Sequence, residues 1–278
     1  MKGFANEHLL VSPNELSEMI SGAGARRPLI LDLRPPEQYT SGHVPGAVHL
    51  DLWGVSLIDT DPAPLKAFMW MIEHLFQTHG VHSATPVVIY DEQSGIRAAR
   101  AFWFLEYFGH PSVRMLDGGF NAWAAAGLDV TCDALPPPKS EWVGKRQEHT
   151  LATHKEVRQA LRTTGAVVLD TRSDAEYTGA VARAKRGGAI PGAVHIEWTR
   201  NLSASGEFKN PDELRQMYED AGVTPDREVI TYCQGGYRAA HSYLALRLLG
   251  YPRIRVYVGS WKEWGDREEL PVEIPKRN

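Results

Sequence analysis

The sequence predicts an α/β fold built twice, and three observations carry that prediction. Short β-branched runs alternate with longer helical stretches along the whole chain, the pattern of a mainly parallel sheet flanked by helices. The pattern also repeats. "LILDLRPPEQYTSGHVPGAVHLD" from Leu29 returns as "VVLDTRSDAEYTGAVARAKRGGAIPGAVHIEW" from Val167; "VVIYDEQSGIRAARAFWFLEYFGH" from Val87 returns as "VITYCQGGYRAAHSYLALRLLGY" from Val229; "MLDGGFNAW" from Met115 returns as "VYVGSWKEW" from Val256. The pairs keep one order at an offset of about 140 residues, far beyond the roughly 20–50 residues of a solenoid unit, so a whole domain is duplicated. The third observation is "TCDALPPPKSEW", where Pro136, Pro137 and Pro138 stiffen an extended connection. The expected organisation is a first domain over 1–130, a linker over 131–145 and a second domain over 146–278.

Taken in order, "SPNEL" places Pro13 in the first turn of a helix over Pro13–Ser21, with acidic residues that suit a helix N-terminus. "LILDL" is a buried strand, Leu65–His79 a helix, and "PVVIY" the next strand. In the second half "AVVLD", "EVITY" and "RIRVYV" are strands, "NPDEL" opens a helix over Pro211–Ala221, and a helix over Gly236–Leu249 follows "EVITY" after a short turn.

Composition narrows the function. At 43% hydrophobic and 23% charged residues the chain is that of an ordinary globular protein. A net charge of -4 argues against nucleic acid or an anionic membrane as partner. No apolar run approaches the roughly 20 residues that cross a bilayer, and "MKGFANEHLLVSP" has no basic segment followed by an apolar core, so no signal peptide is expected. Two cysteines, Cys132 and Cys233, make no disulfide framework. The expected setting is the reducing cytoplasm, where a free thiol stays reactive.

Cys233 follows "EVITY" and precedes Gly235, Gly236 and Arg238. In parallel sheets ligands bind beyond the carboxyl ends of strands, at the turn into a helix. The glycines let successive N–H groups converge on one centre, the helix N-terminus adds partial positive charge, and Arg238 adds a full one. A cysteine so placed falls from a pKa of about 8.5 to roughly 3.5–7.5. The bland alternative is a small buried hydrophobe at a strand end. The glycines and the arginine favour a nucleophile meeting an anion. Cys132, beside the proline-rich seam, has none of these features and is expected to be incidental.

D-x-R after a strand, "PGAVH", "CQGGYR" in the form C-x-x-G-x-R, and "GSWKEWGDREELPVE" together resemble the tandem-domain rhodaneses, the thiosulfate and 3-mercaptopyruvate sulfurtransferases. The resemblance covers nearly the whole chain. It implies two rhodanese-like domains, a reactive cysteine only in the second, and a first domain that is catalytically silent and serves as a scaffold walling one side of the active-site cleft; Asp91 follows "VVIY" where Cys233 follows "VITY". It implies a two-step transfer in which Cys233 takes the outer sulfur of an anionic donor, becomes a persulfide, and passes the sulfur to a thiol or cyanide. No metal or organic cofactor is implied. The N–H groups of Gln234, Gly235, Gly236, Tyr237 and Arg238 are expected to hold the persulfide charge, and Arg238 the donor's anionic group. Arg172, in "DTR", matches an arginine that family members use near substrate; as a structural Asp–Arg pair it would equally explain why Arg34 repeats the motif in the first half.

The second half also carries a basic insertion of about eight residues, "AVARAKRGG", with Arg183, Lys185 and Arg186. It is either a solvated loop or a device drawing anions to the cleft, and Arg186 is the residue favoured for the second role. In the family, thiosulfate enzymes often have basic residues straight after the cysteine and mercaptopyruvate enzymes a Gly-Ser-Gly type of loop. "CQGGYR" is neither; its arginine favours thiosulfate as donor, with 3-mercaptopyruvate as the alternative. Cysteine phosphatases use a C-x5-R loop, one residue longer than the C-x4-R spacing from Cys233 to Arg238. A module that only docks a partner would fit a chain with Asp in both loops. His241 lies about two helical turns beyond Cys233, and His49 and His195 recur in both halves, so no histidine is assigned a catalytic role. Trp261 and Trp264 are expected to pack the domain.

Overall fold

The structure is a computed structural model that describes residues 2–22, 27–134, 136–137 and 139–276. Pro138 and the extreme termini, which fall in the expected linker and domain ends, lie outside the described residues. The first half contains the strands β1 (Leu10–Val11), β2 (Leu29–Asp32), β3 (Ala47–His49), β4 (Val87–Tyr90) and β5 (Val113–Leu116), and the helices α1 (Pro13–Ser21), α2 (Pro36–Ser41), α3 (Pro62–Thr78), α4 (Ile96–Tyr107) and α5 (Gly119–Ala125). The second half repeats the series as β6 (Leu151–Ala152), β7 (Ala166–Asp170), β8 (Val194–His195), β9 (Glu228–Tyr232) and β10 (Ile254–Tyr257), with α6 (His154–Ala160), α7 (Asp174–Tyr177), α8 (Pro211–Asp220), α9 (Tyr237–Leu248) and α10 (Ser260–Asp266).

The two sheets have the orders β1-β5-β4-β2-β3 and β6-β10-β9-β7-β8, and every pairing in them is parallel. The fold is therefore α/β in both halves, with one topology used twice. The central strands β4 and β9 are the apolar runs before Asp91 and Cys233.

Local chemistry explains the boundaries. Ser12 and Asn210 accept hydrogen bonds from the N–H groups of Glu15 and Glu213, capping α1 and α8 ahead of Pro13 and Pro211. Thr153 and Ser173 form reciprocal capping boxes with Glu156 and Glu176. α3 begins at Pro62, earlier than the apolar periodicity indicates, because Pro62 and Pro64 lack N–H groups that the first turn would leave unpaired anyway. The two-residue strands β1, β6 and β8 are too short to display a period of two and are held by their neighbours.

α4 and α9 pack against each other and join the halves. Ala98–Leu105 and Ala239–Leu246 are buried on every side, as expected of helices lying inside a core. Phe104, Leu105, Ala240 and Leu244 belong to a single apolar core that crosses between the halves, while smaller clusters sit on the outer faces of the two sheets. Each fully buried Leu or Phe contributes about 1.5–3 kcal/mol, so separating the halves is costly. The segment between them is also anchored: Trp142 is buried against Phe108 and His110. Among the described residues no helix is long and apolar enough to cross a membrane.

Candidate active site

β9 ends at Tyr232, whose hydroxyl donates to Asp170 at 2.5 Å. The chain then turns through Cys233–Gly236 into α9. Gly236 caps the helix with φ at 93°, in the left-handed region that glycine adopts without strain. An added Cβ there would also meet the Arg100 guanidinium at 2.8 Å. The loop is clamped by α10. The N–H of Cys233 donates to Ser260 Oγ at 3.2 Å, the Cys233 carbonyl accepts from the Trp261 N–H at 2.8 Å, and the Gln234 carbonyl from the Lys262 N–H at 3.0 Å. Ser260 takes a φ of 53° to do this, a strained value for a residue with a side chain.

Cys233 is 1% exposed, yet its residue lines a cavity of about 430 Å³ that opens between the halves. The Gly236 N–H donates to its Sγ at 3.1 Å. Burial raises the thiol pKa, but Arg238 and the N–H groups of Ala239, Gly235 and Gly236 outweigh it, and the net direction is downward. The first half shows what the loop geometry binds. There the Asp91 carboxylate occupies the corresponding place and accepts from the N–H groups of Gly95, Arg97 and Ala98 at 2.9–3.1 Å. The same turn thus aims N–H groups at a carboxyl group in one half, which burial nevertheless pushes up to about 7, and at a sulfur in the other.

The other residues singled out from the sequence separate into two groups. Arg238 is beside the sulfur, but its fork is bidentate on Glu176, at 2.5 and 2.9 Å. Burial would raise the Glu176 carboxyl, and Arg238 instead holds it at about 2, so the pair stays ionised. Gln234 donates from its side chain to the Arg183 carbonyl at 2.8 Å. The Tyr237 hydroxyl donates to the Leu52 carbonyl at 2.7 Å, tying the loop to the first half.

Arg172 and Arg186 lie elsewhere. Arg172 is buried, ion-paired to Asp170 and bonded to the Gly188 carbonyl, and Arg34 does the same with Asp32 and the Gly42 carbonyl. Arg186 donates to the carbonyls of Trp264, Gly265, Arg267 and Leu270, which anchors the insertion to the C-terminal segment. It is Arg183 from the same insertion that lines the cavity, 3.6 Å from Glu176. A basic loop announces itself in sequence, but which of its arginines faces the cavity depends on how the loop is folded back.

The first half walls one side of the cleft, the role expected of a silent domain, but sequence reasoning named none of the residues that do so. Trp53, Gly54, Ser56 and Ile96 line the cavity, and Arg97 sits 4.3 Å over the Trp53 ring. Trp53 remains 53% exposed at the mouth. The histidines singled out from the sequence are bonded elsewhere: His49 and His195 bond the carbonyls of Arg34 and Arg172, and His241 is buried against the first half. Trp261 and Trp264 are buried in the second core. Cys132 is exposed and free.

A duplicated parallel α/β unit with a cysteine cradled between a central strand and its helix defines a class, and comparison identifies it. The model of the rhodanese-like domain matches residues 12–126 and again 153–267, and the chain belongs to the rhodanese family of sulfur-transferring enzymes. It is 32% identical to the thiosulfate sulfurtransferase of Pseudomonas aeruginosa over 99% of this chain and 100% of that one. It is 34% identical to the sulfur carrier protein TtuD of Thermus thermophilus over 97% of this chain and 98% of that one. Among solved structures, EanB in complex with ergothioneine superposes with a TM-score of 0.85 at 23% identity, over 98% of this chain and 71% of that one; the likeness is one of fold.

Proposed function

We propose that the protein moves a sulfane sulfur from thiosulfate to a thiophilic acceptor through a persulfide on Cys233. The observation that carries this reading is the sulfur itself: buried in an anion cradle, with its pKa lowered, at the wall of a cavity open to small molecules. The Cys233 thiolate attacks the outer sulfur of the donor, the donor's S–S bond breaks, and sulfite leaves with the bonding pair. The terminal sulfur of the persulfide carries the negative charge and is held by the N–H groups of the loop. Cyanide or a thiolate then attacks that sulfur, the persulfide S–S bond breaks, and the Cys233 thiolate is restored. Dividing the transfer into two steps is the advantage of covalent catalysis.

In this reading Arg238 lowers the thiol pKa, and Arg183 at the mouth attracts the donor. Arg172 and Arg186 support the loops around them. The half over 1–130, with Asp91 in its loop, is catalytically silent, since a carboxylate forms no persulfide; the linker over 131–145 joins it to the catalytic half over 146–278. Pairing of Arg238 with Glu176 leaves less net positive charge at the sulfur than a dianion would favour, and this supports 3-mercaptopyruvate, a monoanion, as the second reading. Incubation with each donor followed by intact mass measurement decides. One sulfur is expected on the wild type and none on Cys233→Ser, and thiocyanate should appear on addition of cyanide. If neither donor loads the protein, or Cys233→Ser turns over normally, the proposal fails. Phosphate release from an aryl phosphate would point instead to a phosphatase.

A further inference from the structure

Arg100 belongs to α4 of the first half, is 1% exposed, and reaches into the catalytic loop of the second. Its Nη1 donates to the Gly235 carbonyl and its Nη2 to the Val55 carbonyl, the latter at 2.9 Å. Its guanidinium lies 4.0 Å over the Tyr237 ring. Among the described residues no hydrogen bond or ion pair joins it to a carboxylate, and its Nε has no partner. A buried cation without a counter-anion is costly, so its place calls for a physical reason.

The peptide it grips gives one. Gly235 C=O and Gly236 N–H belong to a single peptide unit, and in a trans peptide the two point in opposite directions. The N–H end of this peptide donates to Cys233 Sγ at 3.1 Å, and the C=O end accepts from Arg100. A cation on the oxygen fixes the plane of the peptide and polarises its N–H toward the sulfur.

The duplication supplies an internal control. His241 follows "GYRAA" as Arg100 follows "GIRAA", so each is the same position of the repeat. His241 Nε2 bonds the Ser94 carbonyl at 2.8 Å, and Ser94 O shares its peptide with Gly95 N–H, which donates to Asp91 at 2.9 Å. Each half thus grips the other's loop peptide from behind. The grip on the Asp91 loop is a histidine that burial holds at about 4, hence neutral near pH 7; the grip on the Cys233 loop is an arginine.

We propose that Arg100 is a positioning residue of the catalytic loop: the half without a nucleophile supplies the charge that aims and polarises the Gly236 N–H at the sulfur anion. The proposal rests on Cys233 being the nucleophile. Burial pulls the Arg100 pKa down, and the nearby Cys233 is among the groups that oppose this.

The test is the pH dependence of Cys233 alkylation by iodoacetamide in full-length Arg100→His, Arg100→Gln and Arg100→Lys, with Cys132→Ser as the common background. Arg100→His places at this position the side chain that the repeat already accommodates at His241. The His and Gln variants are expected to raise the apparent thiol pKa by about one unit, a tenfold loss of thiolate below that pKa. Sulfur loading near pH 7 should slow by roughly tenfold with little change in the donor KM, and Lys should recover part of the loss. Arg100→His or Arg100→Gln that folds, by its melting transition, and keeps the parental pH profile overturns the proposal. Because alkylation requires no sulfur donor, a parent protein that fails to load sulfur would defeat the proposed function without deciding the role of Arg100.

Discussion

At the scale of single residues, the basic insertion separates two arginines that look alike in sequence. Arg186 holds four carbonyls and Arg183 borders the cavity at 57% side-chain exposure. Arg186→Ala is expected to lower stability by about 2 kcal/mol, seen as a fall in Tm, with the donor KM nearly unchanged. Arg183→Ala is expected to raise the donor KM by roughly threefold with no change in Tm, since an exposed charge is worth at most about 1 kcal/mol. An inverted pattern would return Arg186 to the anion-binding role that its basic neighbourhood first indicated. Cys233 was legible because its neighbours are diagnostic: glycines and an arginine after a buried strand. Arg183 and Arg186 were not distinguishable, because they lie in one irregular loop and no periodicity assigns its side chains to a face. Glu176 was also illegible as the partner of Arg238, since the two lie 62 positions apart.

At the scale of elements, α4 and α9 matter most, because each carries the side chain that grips the other half's loop. His241 on α9 is fully buried between the Ser94 carbonyl and Asn201, and burial lowers its pKa from 6.5 to about 4. Between those values the unfolded chain binds a proton that the folded chain refuses. Stability therefore falls as pH drops from about 6.5 towards about 4, by up to about 3 kcal/mol from this group. Thermal melts at pH 7.5 and pH 5 should show about 2 kcal/mol of that loss, and His241→Gln should reduce it; an equal acid-induced fall in both proteins would assign the effect elsewhere. The long, strongly patterned elements such as α1, α8 and β9 could be read closely from sequence. The brief strands at the sheet edges, such as β6 and β8, exist only because a longer neighbour offers them a ladder.

Across the whole molecule, the two halves are joined by a buried polar junction as well as by the shared core. The Glu263 carboxylate accepts from the N–H and hydroxyl of Thr60 in the first half and from the Tyr257 hydroxyl, and it pairs with His154 at 3.0 Å and Arg267 at 3.2 Å. Removing one member of a buried network leaves the others unpaired. Glu263→Ala is expected to cost about 3–5 kcal/mol of stability. The surviving folded protein should keep its Cys233 pH profile, because the junction does not touch the loop N–H groups; a shifted profile would mean that the junction also sets the geometry of the sulfur.

What the sequence by itself determined is the duplicated α/β plan and the identity of the odd residue out, Cys233 against Asp91. Both rest on local information: strand and helix periods, glycine and proline positions, and a repeat that compares one half with the other. What only the tertiary structure decided is how the halves complete each other. Arg100, Trp53 and the Leu52 carbonyl come to the Cys233 loop from more than 130 positions away in the chain. The reason is packing. Once α4 and α9 bury their apolar faces against each other, the polar residue that follows each "AA" pair, Arg100 or His241, is brought against the neighbouring half's loop and bonds its Gly235 or Ser94 carbonyl, and no pattern within one half records that constraint.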